Sequence, residues 1–394
     1  MIIKDFSYGA VAAGIKYKDR LDLGLIYSTV PAVTAGVFTT NQVKAAPVLL
    51  SVDRLKQGRC QAVLVNSGCA NACTGEQGME AALQTSRLAA QALGIEDDMV
   101  LVSSTGVIGA TLNVDAFEQN MQALVENLDP DNFGRVAEAI MTTDTVPKTA
   151  SYSVMIGGTE VQLMGMAKGA GMIMPKMATM LAFVMTDAQI SFSQLKSALR
   201  SAVERTFNRI TIDGDTSTND MVLVMANGAA GNPWIDDDEH PDYQAFCDSL
   251  EMLLKDLARQ IVEDGEGATK FITIRVCGAK EHSDAERMAR TVANSNLVKT
   301  AFFGEDANWG RIMGAMGRSG VKFNPERVDI AFGDVVIVKN GLSVGQEQER
   351  AATALLRQKS ITVCIDLKDG AGCEEIYTCD FSIDYVKINA NYRT

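Results

Sequence analysis

Short β-rich runs alternate with helical patterns along the whole chain. Residues 62–65 and 99–102 have the composition of buried strands, and a polar turn follows each of them. Between these strands, residues 78–93 place apolar side chains at helical spacing, and Gly94 is suited to end the helix. Alternation of this kind is typical of an α/β fold.

The alternation continues to the C-terminus. Further helices are predicted at residues 193–207, 243–262, 283–293 and 309–316. Strands are predicted at residues 221–225, 272–276, 297–303, 328–332, 335–338 and 361–365, and the segment NRITIDGD is strand-like. A chain of 394 residues has room for two or three domains. We expect a boundary near residues 278–284 and a C-terminal α/β subdomain over about 280–394.

Composition excludes several classes of protein. Hydrophobic residues make up 47% of the chain and charged residues 22%, which is enough to build a sizeable core. The net charge of −13 argues against nucleic-acid binding, which needs a basic surface. The N-terminus has no apolar run of signal-peptide length, and no segment approaches the length of a membrane span. We therefore expect a soluble cytoplasmic protein without a membrane or nucleic-acid partner.

Cysteine and histidine usage narrows the chemistry further. The eight cysteines form no CxxC pair and lie apart from the two histidines, so we expect reduced thiols and no metal site. His240 and His282 both lie in charged segments and read as solvated surface residues. Catalysis by a serine or cysteine with a histidine base is therefore disfavoured, and a nucleophilic enzyme would need another base.

A hydroxyl-rich turn follows the strand at residues 99–102. Thr105 precedes Gly106 there, and such a turn can direct a side-chain hydroxyl and a backbone N–H at one point. That pair of donors is what an oxyanion hole requires. An ordinary polar turn is the alternative.

Four other segments bear on the chemistry of the chain. Residues 142–145 suit a substrate ammonium or carboxylate, or simply cap a turn. Residues 208–220 are rich in carboxylates and amides but lack the EF-hand positions, so no metal is expected there. Glu266, between two glycines, suits a substrate amine or is a solvated acidic turn. Residues 304–320 lack a Walker A or complete GxGxxG pattern, so no nucleotide site is predicted.

The segment KGAGMIMPKMATML, residues 168–181, is rich in glycine and apolar residues and contains no acid or histidine. Its one hydroxyl is Thr179, and Lys168 at its start can anchor a substrate carboxylate. The segment is either a buried turn or a loop that cleaves itself and releases Thr179 as a new N-terminus. In the second case the α-amine of Thr179, with a pKa of about 7.7–8.0, can act as base for its own hydroxyl.

Together these motifs, in this order, resemble the ornithine acetyltransferase family, also called the arginine-biosynthesis bifunctional glutamate N-acetyltransferases. The resemblance covers almost the whole chain, and the block around Thr179 is its most specific part. It rests on the segments GVFTTNQVKAAPV, VNSGCANACTG, STGVIG, MTTDTVPK, KGAGMIMPKMATMLAFVMTDA, NRITIDGDTSTND, DGEGATK, GEDANWGRIMGAMGRSG and INANYRT.

The resemblance implies a layered α/β sandwich of the ornithine-acetyltransferase/DmpA-like type with a C-terminal α/β subdomain. It also implies self-cleavage between Ala178 and Thr179, which gives an α chain, 1–178, and a β chain, 179–394. Thr179 would then be the nucleophile, and Thr105 and Gly106 would form the oxyanion hole. The implied substrate contacts are Thr142, Lys168, Thr179, Glu266, Asn389 and Thr394.

The implied reaction is a ping-pong transfer of acetyl from N2-acetylornithine to glutamate, which gives ornithine and N-acetylglutamate. No cofactor is expected. The sequence leaves open whether acetyl-CoA is also a donor, which separates bifunctional from monofunctional members. The two chains would stay associated, in an α2β2 or larger assembly, and the C-terminus would fold back into the site.

Three positions depart from the family pattern, and two other functions remain open. Asparagine is more usual than Lys176 and than Cys69, and a smaller residue is more usual than Met174. One alternative is a hydrolase with an N-terminal nucleophile, in which water resolves the acyl-enzyme. The other is an uncleaved protein that binds amino acids.

Overall fold

The structure, a computed structural model, describes residues 1–16, 18–174 and 180–391. The chain divides into two compact units, each described by itself below. The first comprises Met1–Asn208 and Asp215–Ile261, and the second comprises Arg209–Gly214 and Val262–Thr394. The boundary expected near residues 278–284 would fall at the end of a strand of the second unit.

Within the described residues, the first unit contains an eight-stranded sheet with the order β4-β3-β2-β8-β7-β6-β5, and β1 pairs with β2. The pairs β3–β4 and β7–β8 are parallel, and the other pairs are antiparallel. Its strands are β1 (Phe6–Val11), β2 (Leu23–Phe38), β3 (Arg59–Asn66), β4 (Val100–Ser104), β5 (Lys148–Ile156), β6 (Thr159–Lys168), β7 (Leu181–Thr186) and β8 (Met221–Ala226).

Strand β2 connects the two halves of this sheet, which are β4-β3 on one side of it and β8-β7-β6-β5 on the other. Its first part pairs with β3 and its last part, Val33–Phe38, pairs with β8, with a register shift between Tyr27 and Ala32. Side chains from the two halves share one core, to which β3 contributes Val63 and β7 contributes Phe183. The two halves therefore face each other as layers of a sandwich.

Helices cover the outer faces of both layers. On β3, Ala62 and Leu64 alternate with the inward side chains and pack in a second core with helices α2 and α3. On β6, the position of Gly165 faces Leu253 of helix α6. The helices of this unit are α1 (Ala46–Arg54), α2 (Gly75–Leu93), α3 (Val114–Glu126), α4 (Phe133–Ala139), α5 (Phe192–Arg205) and α6 (Tyr243–Glu263), whose last residues belong to the second unit.

The second unit has its own sheet and its own core. In the described part of this unit the strand order is β12-β11-β10-β13-β9-β14. The strands are β9 (Phe271–Ala279), β10 (Asp329–Phe332), β11 (Val335–Lys339), β12 (Leu342–Ser343), β13 (Ser360–Asp366) and β14 (Gly372–Cys379). The helices are α7 (His282–Ala293), α8 (Asn296–Phe303), α9 (Trp309–Gly317), α10 (Gln346–Leu355) and α11 (Ile383–Ala390). Apolar residues of α7, α8 and α9 pack on this sheet.

The predicted α/β class is confirmed, but two local predictions were wrong. Residues 297–303 lie in helix α8, which buries Val298, Ala301 and Phe302 at helical spacing. A short apolar run cannot be assigned to strand or helix by its periodicity alone. The strand-like segment NRITIDGD forms a short 3-10 helix and bends, with only a bridge from Ile210 to Tyr377.

The expectation of reduced thiols was wrong for one pair. Cys277 and Cys373 form a disulfide. They lie 96 residues apart in sequence, but β9 and β14 are neighbouring antiparallel strands and place the two residues side by side. Free cysteines include Cys60, Cys69 and Cys379, all of which are buried.

Candidate active site

The ends of three segments from the first unit converge on Lys168. This residue is the last of β6 and pairs with Leu181, the first residue of β7. The residue is only 8% exposed. The ammonium donates to the Thr142 hydroxyl at 2.8 Å and to the Thr105 hydroxyl at 3.4 Å. The structure thus brings together three residues that the sequence predicted for one site.

The Asp144 carboxylate holds this cluster in place. Its Oδ1 accepts bonds from the Lys148 ammonium and the Gly169 N–H, both at 2.7 Å. Its Oδ2 accepts the Thr142 N–H at 3.0 Å and lies 3.9 Å from the Lys168 ammonium. Burial opposes ionisation of this carboxyl, but Lys168, Lys148 and these bonds outweigh burial and hold its pKa well below the ordinary value. Asp144 is therefore an ionised anchor.

The role of Asp144 was missed from the sequence. Residues 142–145 suggested a carboxylate open to a substrate, whereas the Asp144 oxygens already hold protein groups. The spacing of Lys148 four residues later was a signal for the pairing. Gly169 and Lys168 are far along the chain and gave no local signal.

The turn after β4 has a backbone shape that requires glycine. Gly106 has a φ of 133°, and a Cβ there would overlap the backbone of Gly68 and lie 2.6 Å from the Cys69 nitrogen. The Thr105 N–H donates to the Asn66 carbonyl at 2.9 Å. Thr105 is thus held at the strand end, with its hydroxyl at Lys168.

Asn219 supports the same turn. Its side-chain amide is buried and donates to the carbonyl oxygens of Ser104 and Ala70, both at 2.7 Å. The carboxylate- and amide-rich segment 208–220 therefore contributes to the architecture around Thr105. No cluster of potential metal ligands occurs among the described side chains.

Glu266 and Asn389 meet within the second unit. Glu266 is 6% exposed, and its Oε2 accepts the Asn389 side-chain amide at 2.7 Å. Helix α11, which carries Asn389, is capped at its N-terminus by Ser382, whose hydroxyl accepts the Asp384 and Tyr385 N–H groups. The sequence predicted both residues as substrate contacts, and the structure places them as direct partners.

Several predicted site residues lie outside the described residues. These are the proposed cleavage point Ala178–Thr179, the unusual Lys176 and the C-terminal Thr394. The chain is described again from Met180, which is buried and whose carbonyl accepts the Met221 N–H at 3.1 Å. Asn389 is the last predicted contact that the structure describes.

The remaining predicted features have ordinary surroundings. His282 is exposed beside Glu374 at 3.0 Å, and the His240 ring accepts the Asp242 N–H at 3.2 Å. Cys69 is buried, and burial raises the pKa of its thiol. The Met174 carbonyl accepts the Thr216 hydroxyl at 3.1 Å.

In the described part of the chain, no helix is long and apolar enough to cross a bilayer.

Comparisons with known proteins give close matches. A sequence profile described as the ArgJ family matches residues 7–394. The arginine biosynthesis bifunctional protein ArgJ of Desulfotalea psychrophila is 65% identical over 394 residues, with 100% of both chains covered. The protein of the same name from Geobacter sulfurreducens is 51% identical over 394 residues, again with 100% of both covered.

A solved structure is similar as well. The crystal structure of the arginine biosynthesis bifunctional protein argJ from Bacillus halodurans has 46% sequence identity and a TM-score of 0.51. The match covers 98% of that chain but 53% of this one.

Proposed function

The chain belongs to the ArgJ family, and we propose that it transfers the acetyl group of N2-acetylornithine to glutamate in arginine biosynthesis. The membership confirms the resemblance that the motifs indicated and the layered α/β fold predicted with it. The names of the two relatives, which cover the full length, support the placement in arginine biosynthesis.

The observation that carries this proposal is the convergence of Lys168, Thr142 and Thr105 beside the start of β7. Lys168 pairs with Leu181, so the cluster lies next to the strand that begins two residues after Thr179 in the sequence. A buried ammonium and two hydroxyls suit the carboxylate of an amino-acid substrate. Glu266 and Asn389 are proposed as further substrate contacts, with the Glu266 carboxylate suited to a substrate amine.

The proposed chemistry begins with Thr179 as an N-terminal residue. Its hydroxyl gives a proton to its own amine and forms a bond to the acetyl carbon of N2-acetylornithine. Thr105 Oγ1 and the Gly106 N–H stabilise the oxyanion, a role worth about 3 kcal/mol. The C–N bond then breaks, the nitrogen takes the proton, and ornithine leaves. The amine of glutamate attacks the acetyl-threonine ester and returns the proton to the Thr179 oxygen.

We propose that Thr179 becomes N-terminal when the chain cleaves itself after Ala178. The β chain would hold slightly more than half of the residues. The solved chain from Bacillus halodurans, which is matched over 98% of its length, covers a similar share, 53%, of this chain, and this supports the proposal. Thr394 is proposed as an additional substrate contact, with the C-terminus folded back into the site.

We also propose acetyl-CoA as a second donor and an α2β2 or larger assembly. The word bifunctional in the names of both full-length relatives favours the second activity. Native mass measurement tests the assembly, and a complex with fewer than two copies of each chain would contradict it.

A donor–acceptor assay tests the function directly. With N2-acetylornithine and glutamate, we expect ornithine and N-acetylglutamate to form in equal amounts. Free acetate in place of N-acetylglutamate would establish the hydrolase instead. Binding of amino acids without turnover by a full-length, uncut chain would establish the binding protein. Replacing N2-acetylornithine with acetyl-CoA then tests the second donor.

A further inference from the structure

Asp220 is a buried acid at the start of strand β8, and the function proposed above leaves it without a role. It follows Asn219, which holds the turn at Thr105, and precedes Met221. Met221 pairs with Leu181 of β7 and with Phe38 of β2. Asp220 therefore lies where β8 begins, next to the first residues of the proposed β chain.

The surroundings of Asp220 are largely uncharged. The residue is 3% exposed. The Met180 N–H donates to its carboxyl, and the Thr39 hydroxyl at the end of β2 and the Ser217 hydroxyl also face it. Lys168, the last residue of β6, is a charged group whose ammonium lowers the pKa of Asp220. Burial raises the pKa of Asp220 well above the ordinary value in spite of these groups, which favours the protonated form of the carboxyl.

One oxygen of this carboxyl has no partner. Asp220 Oδ2 is buried and makes no hydrogen bond to the described part of the chain. Leaving a buried polar atom unsatisfied costs folding free energy, and such an atom in a native protein calls for an explanation. A protonated carboxyl with an unused O–H is a proton donor, as in sites where burial keeps an acid neutral.

We propose that Asp220 supplies the proton for the nitrogen that leaves during self-cleavage between Ala178 and Thr179. This inference rests on the proposed self-cleavage. The Met180 N–H holds the carboxyl next to the residue that Thr179 immediately precedes in the chain.

The proposed cleavage needs no reagent other than water. The Thr179 oxygen forms a bond to the Ala178 carbonyl carbon, and the carbon–nitrogen bond breaks. Asp220 gives its proton to the nitrogen, and the resulting carboxylate takes the proton of the Thr179 hydroxyl. Water then hydrolyses the ester, which leaves a free Ala178 carboxylate and a free Thr179 hydroxyl.

The variant Asp220→Asn separates proton donation from support of the backbone. Asparagine keeps the size and an oxygen that accepts the Met180 N–H, but it is not an acid. We expect this variant to fold with an unchanged unfolding temperature and to cleave about 10²–10⁴ times more slowly, the usual contribution of a general acid. Asp220→Ala should be equally slow. Cleavage is followed by denaturing mass spectrometry of the full chain after rapid purification.

Asp187→Asn is the matched control. Asp187 follows the other end of β7, is also buried, and also has a pKa raised by burial, but its Oδ1 accepts the Gln162 N–H. We expect this control to cleave at the wild-type rate.

The pH dependence of cleavage gives a second readout that lost packing would not produce. Donation requires the protonated acid, so the wild-type rate should fall as pH rises through the Asp220 pKa, and Asp220→Asn should lack this fall. An Asp220→Asn chain that cleaves as fast as wild type, with the same pH profile, would overturn the inference. A wild-type chain that never cleaves after Ala178 would instead refute the proposed function.

Discussion

At the scale of single residues, the ionised Asp144 controls the charge of the candidate site. Two ammonium groups, those of Lys148 and Lys168, lie near its carboxylate, and the Lys148 side chain is fully buried. A buried ammonium without its counter-ion has lost its hydration, and no opposite charge compensates for that loss. Asp144 is thus needed both for stability and for the position of Lys168.

The variant Asp144→Asn should destabilise the protein by about 3–5 kcal/mol at neutral pH, the usual cost of breaking a buried ion pair. Because the folded-state pKa of Asp144 is lowered from 3.8, its stabilisation is present above that value and is lost as pH falls through the folded pKa. The difference between wild type and variant in unfolding midpoint should therefore narrow below about pH 4. Asp334→Asn, at an exposed position, serves as control.

A difference in unfolding midpoint between wild type and Asp144→Asn that stays constant into strong acid would contradict this role for Asp144. At neutral pH, a loss of stability in Asp144→Asn no larger than that in the Asp334→Asn control would contradict it too.

At the scale of elements, the turn after β4 links backbone geometry to chemistry. A Cβ at Gly106 would overlap the backbone of Gly68 and Cys69, and backbone moves less readily than a flexible side chain. Gly109, three residues later, also has a positive φ, of 83°, but no atom lies within 4 Å of a Cβ there. Alanine substitutions at the two glycines therefore distinguish the cost of a strained backbone conformation from the effect of displacing the turn.

Gly106→Ala should lower acetyl transfer by about 10²–10³-fold, because the displaced turn no longer presents the oxyanion donors. Gly109→Ala should cost about 1 kcal/mol of stability from its backbone conformation and leave transfer close to wild type. Steady-state rates and unfolding temperatures of both variants check this. Equal loss of transfer in the two variants would show that the turn at Gly106 has no special role.

Helices and strands were predictable from the sequence where a single hydrophobic periodicity dominates. Helix α2 buries Ala82 and Ala89 at helical spacing and is capped by Gly94 in a left-handed conformation, as its pattern indicates. Helix α8 has eight residues, too few to show its period, and was predicted as a strand. Motif order predicted Thr105, Thr142 and Lys168 for one site, and the structure brings these three side chains together. Asp144 and Asp220 instead depend on partners from distant segments that no local pattern reveals.

At the scale of the whole molecule, the proposed cut divides the sheet of the first unit between two chains. Strands β1–β6 would belong to the α chain, and β7 and β8 to the β chain. In the sheet order, β8 pairs with β2 and β7 pairs with β6, so both of these pairings cross the cut. The shared core also joins the two, through Met166 on one side and Phe183 on the other.

The two chains should therefore stay together after cleavage. We expect a single peak in native size-exclusion chromatography, which separates into two species only in denaturant. Thr179→Ala, which cannot cleave in this account, should elute at the same native volume as one full-length chain. Separation of the fragments of the wild-type protein without denaturant would contradict the continuous sheet.

Acetyl transfer through Thr179 is tested most directly by the mass of the denatured protein after brief exposure to N2-acetylornithine without glutamate. We expect a chain that starts Thr-Met-Leu-Ala-Phe and carries one acetyl group on its first residue, and adding glutamate should remove that group. An uncut chain that still transfers acetyl, or an acetyl group bound at any other residue, would contradict it.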